Sequence, residues 1–251
     1  MKNVLNNLGL QMPTSPTVYA LHGFLGLPTD WHTLSQNKFN VIAPNLTTRH
    51  KPGKTLWEFA KDFNESVSRN NSSSHVLLGY SMGGRLAMHA LLQNPSLWDA
   101  AIIVSADPGL LPEAERPSRL QHDEHWAMRF ESDPWELLMR DWNSQPIFRK
   151  DKTPFLRNEN DYSRQILADI LRNWSQCHQK NLLPMLAKLT IPVLYVAGEL
   201  DCKYTQIAKI CAAAHSSSQL WIAPEASHRV PWQQPELFQQ KSSQFLKGIC
   251  T

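Results

Sequence analysis

Leu78-Gly79-Tyr80-Ser81-Met82-Gly83-Gly84-Arg85-Leu86-Ala87-Met88 joins an apolar run to a helical pattern through a serine set between glycines. Gly79-Tyr80-Ser81-Met82-Gly83 is a G-x-S-x-G pattern, in which the serine occupies a strained turn between a strand and a helix. So sharp a turn brings a side chain two residues either side of the serine against neighbouring backbone, which is why glycine is needed there. The flanks agree. His75-Val76-Leu77-Leu78 is short and apolar, like a buried parallel strand. Leu86, Ala87, Ala90 and Leu91 recur at helical spacing. A bare G-x-S-x-G also fits a glycine-rich turn with an ordinary surface serine; strand before and helix after favour the strained turn.

Outward from this turn, strand and helix alternate. Thr17-Val18-Tyr19-Ala20-Leu21 is a strand leading into His22-Gly23-Phe24. Val41-Ile42-Ala43-Pro44 is a second strand, stopped by its proline. Leu56, Phe59, Ala60, Phe63 and Val67 mark one face of an amphipathic helix. Ala101-Ile102-Ile103-Val104 is the strand after the serine helix. This alternation predicts an α/β fold with a mostly parallel sheet covered on both faces.

From Pro108 to about Pro184 the alternation stops. The stretch carries helical patterns, many arginines and Trp126, Trp135, Trp142 and Trp174, and it is too long for a plain loop. It predicts a helical cap inserted above the carboxyl ends of the strands, with its tryptophans mainly in a core. Strands resume at Ile191 to Gly198 and at Gln219 to Ile222. The expected division is therefore a core of residues 1–107 and 185–251 with a cap insertion at 108–184.

At 251 residues, 42% hydrophobic and 19% charged, the chain suits one globular domain with an insertion. A net charge of +3, mixed along the chain, implies neither nucleic acid nor an anionic membrane as partner. No apolar run is long enough to span a membrane. Met1 to Pro16 lacks the apolar centre of a secretory signal. Cys177, Cys202, Cys211 and Cys250 form no C-x-x-C pair, so free thiols in the cytoplasm are expected. A monomer is the favoured state.

Ser81, Asp201 and His228 follow in the order nucleophile, acid, base, each after a strand or in a loop at one edge of such a sheet. A serine hydroxyl becomes an effective base or nucleophile when an imidazole takes its proton and a carboxylate fixes the imidazole tautomer. Glu199 is the alternative acid. His22 has no second ligand at metal spacing. His122-Asp123-Glu124-His125 has the wrong spacing for a metal pair on one helical face and predicts a solvated helix. No metal or cofactor is implied.

Together these features resemble the α/β-hydrolase superfamily and, within it, the synthases that make 2-succinyl-6-hydroxy-2,4-cyclohexadiene-1-carboxylate in menaquinone and phylloquinone biosynthesis. The resemblance rests on Leu21 to Gly26, Gly79 to Arg85, Glu115 to Arg119, Trp126 to Phe130, Trp142 to Phe148, Leu156-Arg157, Gly198 to Asp201 and Ser227-His228. It implies a lyase that releases pyruvate from 2-succinyl-5-enolpyruvyl-6-hydroxy-3-cyclohexene-1-carboxylate. In such a site the backbone N–H groups of Phe24 and Met82 form the oxyanion hole. Arg85, Arg119 and Arg157 pair with a small polyanionic carboxylate substrate, a task that suits the charged planar guanidinium. Tyr80, Trp142 and Phe148 shape the pocket. Leu200, Cys202 and Arg229 to Trp232 find no match in the pattern. The competing functions are a carboxylesterase or thioesterase working through an acyl-enzyme, and a non-catalytic ligand receptor on the same fold.

Overall fold

Short runs rich in Val, Ile, Leu and Ala form one parallel sheet among the residues that the computed structural model describes, which are 16–35, 39–70, 72, 74–148, 150–151 and 155–249. The expectation for the first sixteen residues falls almost wholly outside this set, as does that for Cys250. The strands are β1 (Thr17–Leu21), β2 (Asn40–Ile42), β3 (His75–Tyr80), β4 (Ala100–Val104), β5 (Val193–Gly198) and β6 (Ser218–Ala223). They lie in the order β2-β1-β3-β4-β5-β6, every neighbouring pair parallel. Parallel pairing sends all the carboxyl ends to one edge, and the order reverses direction between β1 and β3. That reversal opens a crevice, the usual ligand position in open α/β sheets.

Alternate strand residues face opposite layers. Tyr19, Leu77, Ile103 and Tyr195 pack against α3 (Leu56–Val67), α4 (Met82–Gln93) and α9 (Cys202–Ala214). Val18, Leu78, Ile102 and Val196 pack against Trp31, Leu34 and α11 (Pro235–Lys247). The short turns α1 (His32–Ser35) and α2 (Leu46–Arg49) flank β2 in the chain; α1 puts Leu34 in the second layer and α2 puts Leu46 in the first. α3 starts where Thr55 and Glu58 form a reciprocal capping box: the Glu58 N–H donates to Thr55 Oγ1 at 3.2 Å and the Thr55 N–H to Glu58 Oε2 at 2.8 Å. β5 begins at Val193, two residues later than its apolar run, because Pro192 has no N–H for the ladder and contributes only its carbonyl, to Ala101 N–H at 3.0 Å.

Between β4 and β5 the chain forms α5 (Arg116–Ser132), α6 (Trp135–Asn143), α7 (Arg164–Asn173) and the short α8 (Leu183–Leu186). These helices carry their own apolar cluster, with Trp126, Phe130, Trp135, Leu138 and Leu167 gathered around Leu25 from the β1 loop. Trp174 is buried elsewhere, against Phe59 and the ring of His50. Polar ties fix the insert to loops of the core: the Tyr162 hydroxyl donates to Leu25 O at 2.9 Å and the Trp174 indole to Lys54 O at 2.8 Å. The partly exposed ion pairs of Arg172 with Glu124 and Glu131 add little by comparison. The short α10 (Val230–Gln233) and α11 close the chain.

α11 is held mainly by Phe238, Phe245 and Leu246, all buried on the sheet. Phe238→Ala should lower the urea-measured unfolding free energy by about 3–5 kcal/mol, and a loss below about 1 kcal/mol would mean that the helix is not docked there.

Candidate active site

Ser81 stands between β3 and α4 with φ 52° and ψ −114°, a region that a non-glycine residue occupies only under strain. Two glycines make room for it. A Cβ on Gly79 would lie 2.6 Å from the Gly83 carbonyl, and one on Gly83 would lie 2.2 Å from the Leu21 carbonyl. The Ser81 N–H donates to Val104 O at 2.9 Å, which pins the turn to the sheet.

Ser81 Oγ lies 3.0 Å from His228 Nε2, and His228 Nδ1 lies 2.8 Å from Asp201 Oδ2. The carboxylate on Nδ1 fixes the proton there, so Nε2 presents its lone pair to the serine hydroxyl. Asp201 also caps α9, accepting the Tyr204 N–H at 3.3 Å. Glu199, by contrast, is exposed and accepts the Glu225 N–H at 3.1 Å, so Asp201 is the acid that meets the imidazole. The imidazole is enclosed by the rings of Tyr80, Phe148 and Tyr204, whose centroids lie 5.4, 6.0 and 4.6 Å away.

His22 is wholly buried and both its nitrogens are engaged: Nδ1 with Gly23 O at 2.8 Å, and Nε2 accepting the Leu46 N–H at 3.0 Å. Burial pushes its pKa down to about 4. It is a neutral brace for the β1 loop. Among the described residues no group of three or more His, Cys, Asp or Glu could hold a metal ion.

The Ser81–His228 pair opens on a cavity of about 640 Å³, lined by Phe24 and Met82 beside the serine and by Trp142 and Phe148 from the insert. Met82 is the first residue of α4, and the opening N–H groups of a helix have no intrahelical acceptor. Phe24 packs edge-on against Phe130 and at a tilt against Trp142, which joins the β1 loop to the insert.

Four arginines line this cavity among the described residues: Arg85, Arg119, Arg157 and Arg229. Arg85 is buried; its Nε donates to Gln179 Oε1 at 2.5 Å and its Nη2 has no partner. Burial, with Arg119 adding repulsion, lowers its pKa to about 10, which still leaves it charged at neutral pH. Arg119 donates to Asp123 at 2.8 Å and to Gln176 at 3.0 Å. Asp123 corrects the expectation of a wholly solvated 122–125 stretch: it is buried and also accepts the Ser175 hydroxyl at 2.6 Å. Burial would raise its pKa, but hydrogen bonds from His122, Arg119 and Ser175 carry it below the ordinary value. Arg157, expected to pair with substrate, is engaged within the protein. Both its Nη atoms pair with Asp30, at 2.8 and 2.7 Å, and its guanidinium lies over Phe155.

Residues 18–240 match the alpha/beta hydrolase family. The chain is 33% identical over 213 residues to the 2-succinyl-6-hydroxy-2,4-cyclohexadiene-1-carboxylate synthase of Photorhabdus laumondii, covering 78% of this chain and 75% of that one. It belongs to the alpha/beta hydrolase family, among the 2-succinyl-6-hydroxy-2,4-cyclohexadiene-1-carboxylate synthases. The synthase of that name from Serratia proteamaculans is 28% identical, over 92% of this chain and 93% of its own. The structure of MenH from S. aureus superposes with a TM-score of 0.83 at 25% identity, covering 96% of this chain and 97% of that one. A thermophilic esterase from Thermogutta terrifontis, at 20% identity, shares the fold with a TM-score of 0.76, over 96% of this chain and 92% of its own.

In this alpha/beta hydrolase the sequence patterns did not point to Asp30, Asp151, Gln176, Gln179, Tyr204 or Arg229. Of these only Arg229, next to His228, carried a local signal. Asp30, Gln176 and Tyr204 line the cavity, and Asp151 and Gln179 touch residues that do, all through contacts between distant segments, such as Asp30 with Arg157, 127 residues apart.

The pKa of His22 gives a pH test. In the unfolded chain it protonates near pH 6.5, whereas in the fold it does so at about 4. Between those values the unfolded state binds more protons, so stability is full above pH 6.5 and falls as the pH drops towards 4, by about 3 kcal/mol at most. Urea titrations across this range should show the slope reduced by about one proton in His22→Asn. An unchanged slope would show that His22 does not carry it.

Proposed function

We propose that the protein is a carbon–oxygen lyase that eliminates pyruvate from 2-succinyl-5-enolpyruvyl-6-hydroxy-3-cyclohexene-1-carboxylate, giving 2-succinyl-6-hydroxy-2,4-cyclohexadiene-1-carboxylate for menaquinone or phylloquinone biosynthesis. The observation that carries this reading is the Ser81–His228–Asp201 chain beside a cavity that is also lined by the buried Arg85, whose Nη2 has no partner. The names of the relatives agree with it. A partly unsatisfied buried guanidinium is costly until an anion completes its bonding. That favours a carboxylate ligand over the apolar acyl chain of an ordinary ester.

In the reaction Ser81, made basic by His228 and Asp201, takes the proton α to the succinyl ketone. The N–H groups of Phe24 and Met82 hold the enolate oxygen that forms. Electrons then pass into the ring, the C–O bond to the enolpyruvyl group breaks, and the enolate of pyruvate departs, taking up one proton to become pyruvate as the relay gives up the one it removed. No acyl-enzyme forms and no cofactor is needed. Arg85 and Arg119 bind substrate carboxylates. Arg157 contributes through its grip on Asp30. Tyr80, Trp142 and Phe148 form the aromatic wall. Residues 108–184 act as the cap that closes the site. The absence of any helix long and apolar enough to cross a membrane among the described residues, and the exposed free thiol of Cys202, support a cytoplasmic enzyme.

Pyruvate release from the enolpyruvyl precursor, run beside p-nitrophenyl acetate hydrolysis, tests this. The expected result is rapid pyruvate release that Ser81→Ala abolishes; brisk ester cleavage without pyruvate would falsify the lyase reading in favour of an esterase. Arg119→Ala should lower kcat/KM by about tenfold or more, equivalent to ~1.4 kcal/mol of transition-state stabilisation. Unchanged kinetics would place that side chain outside the substrate's reach.

A further inference from the structure

One carboxylate from the insert grips both sequence neighbours of His228. Asp151 follows the turn that begins at Pro146, and its N–H donates to Phe148 O at 2.9 Å. Its side chain is 4% exposed. Oδ1 accepts the Ser227 hydroxyl and, at 2.8 Å, the Gln233 amide. Oδ2 lies 3.0 Å from Arg229 Nη1, as an ion pair without hydrogen-bond alignment. Gln233 in turn accepts the Ser227 N–H at 2.5 Å. The residues before and after His228, and the short helix that follows, therefore converge on one acid.

Arg229 reinforces the joint. Its guanidinium is stacked between Phe148 and Phe155, 4.1 and 4.5 Å from the ring centroids, and Nη2 donates to Asn143 Oδ1 at 3.0 Å. Beside Asp151, Lys150 donates to Leu200 O at 3.4 Å, one residue before Asp201. Two adjacent insert residues thus touch the loop of the base and the loop of the acid. A buried ion pair is weak evidence for stability, because desolvation offsets much of the attraction; its better-attested use is to fix one geometry. Here the geometry fixed is that of the imidazole's own loop.

We propose that Asp151 is a positioning residue: through Ser227, Arg229 and Gln233 it aligns His228 on Ser81, so that the proton relay is in register when the insert is seated. This rests on the reading of Ser81 and His228 as the relay.

The test uses the full chain and a fluorophosphonate probe that labels an activated serine, so that it does not depend on the natural substrate. Asp151→Asn should slow labelling of Ser81 by about tenfold or more and lower kcat for the precursor in proportion, with KM within about twofold of wild type. The low-field proton NMR signal of the His228 Nδ1–H should broaden, and Asp151→Glu should recover part of the rate. Labelling and kcat within about twofold of wild type in a folded Asp151→Asn protein, or a rise in KM alone, would overturn the proposal. If that variant does not fold, Ser227→Ala removes a single bond and should still slow labelling about threefold; no change there also overturns it. A wild-type protein that fails to label at all would instead sink the relay reading and this proposal with it, a pattern distinct from equal labelling in wild type and variants.

Discussion

The backbone of Ser81 is held at φ 52°, at a cost of about 1–3 kcal/mol that its surroundings must offset. Gly79 and Gly83 remove the side chains that would block the turn, and the Val104 carbonyl anchors its N–H. β3 itself lies inside the sheet, flanked by β1 and β4. The strain is therefore borne by the most constrained part of the molecule. It projects the serine hydroxyl beyond the strand ends, where loops from β5 and β6 bring Asp201 and His228 to meet it.

Charge is distributed around this point in an uneven way. Of the four arginines lining the cavity among the described residues, Arg119, Arg157 and Arg229 each face a carboxylate, while Arg85 faces an amide. The paired three hold structure together: Arg119 within the insert, Arg157 between insert and β1 loop, Arg229 between insert and the His228 loop. Arg85 lines the cavity and keeps an unpartnered Nη2. A group that is buried, cationic and incompletely satisfied is the kind of feature that marks where an anion belongs.

The sheet and the serine turn were legible because they are written in short-range patterns. Alternating buried strands and the glycines around Ser81 follow from steric rules that act over a few residues. Asp201 and His228 were legible because a parallel sheet sends every strand end to the same edge, whatever the loops contain. The ionic arrangement was not legible. Whether Arg157 meets substrate or Asp30, and whether Asp123 faces water or Ser175, is decided by packing between segments far apart in the chain. Helical spacing made Asp123 look solvated, and only the seating of the 174–179 segment on α5 buries it.

The insert has its own apolar centre around Trp126, Phe130 and Leu138, distinct from the two layers of the sheet. A unit with a separate interior can change its lining residues without disturbing the sheet beneath, which is how one scaffold comes to host many chemistries. Here that freedom has a limit at its rim. Any replacement cap transplanted onto this scaffold would have to bring an acid to the spot that residue 151 occupies, or the borrowed selectivity would arrive with a misregistered base.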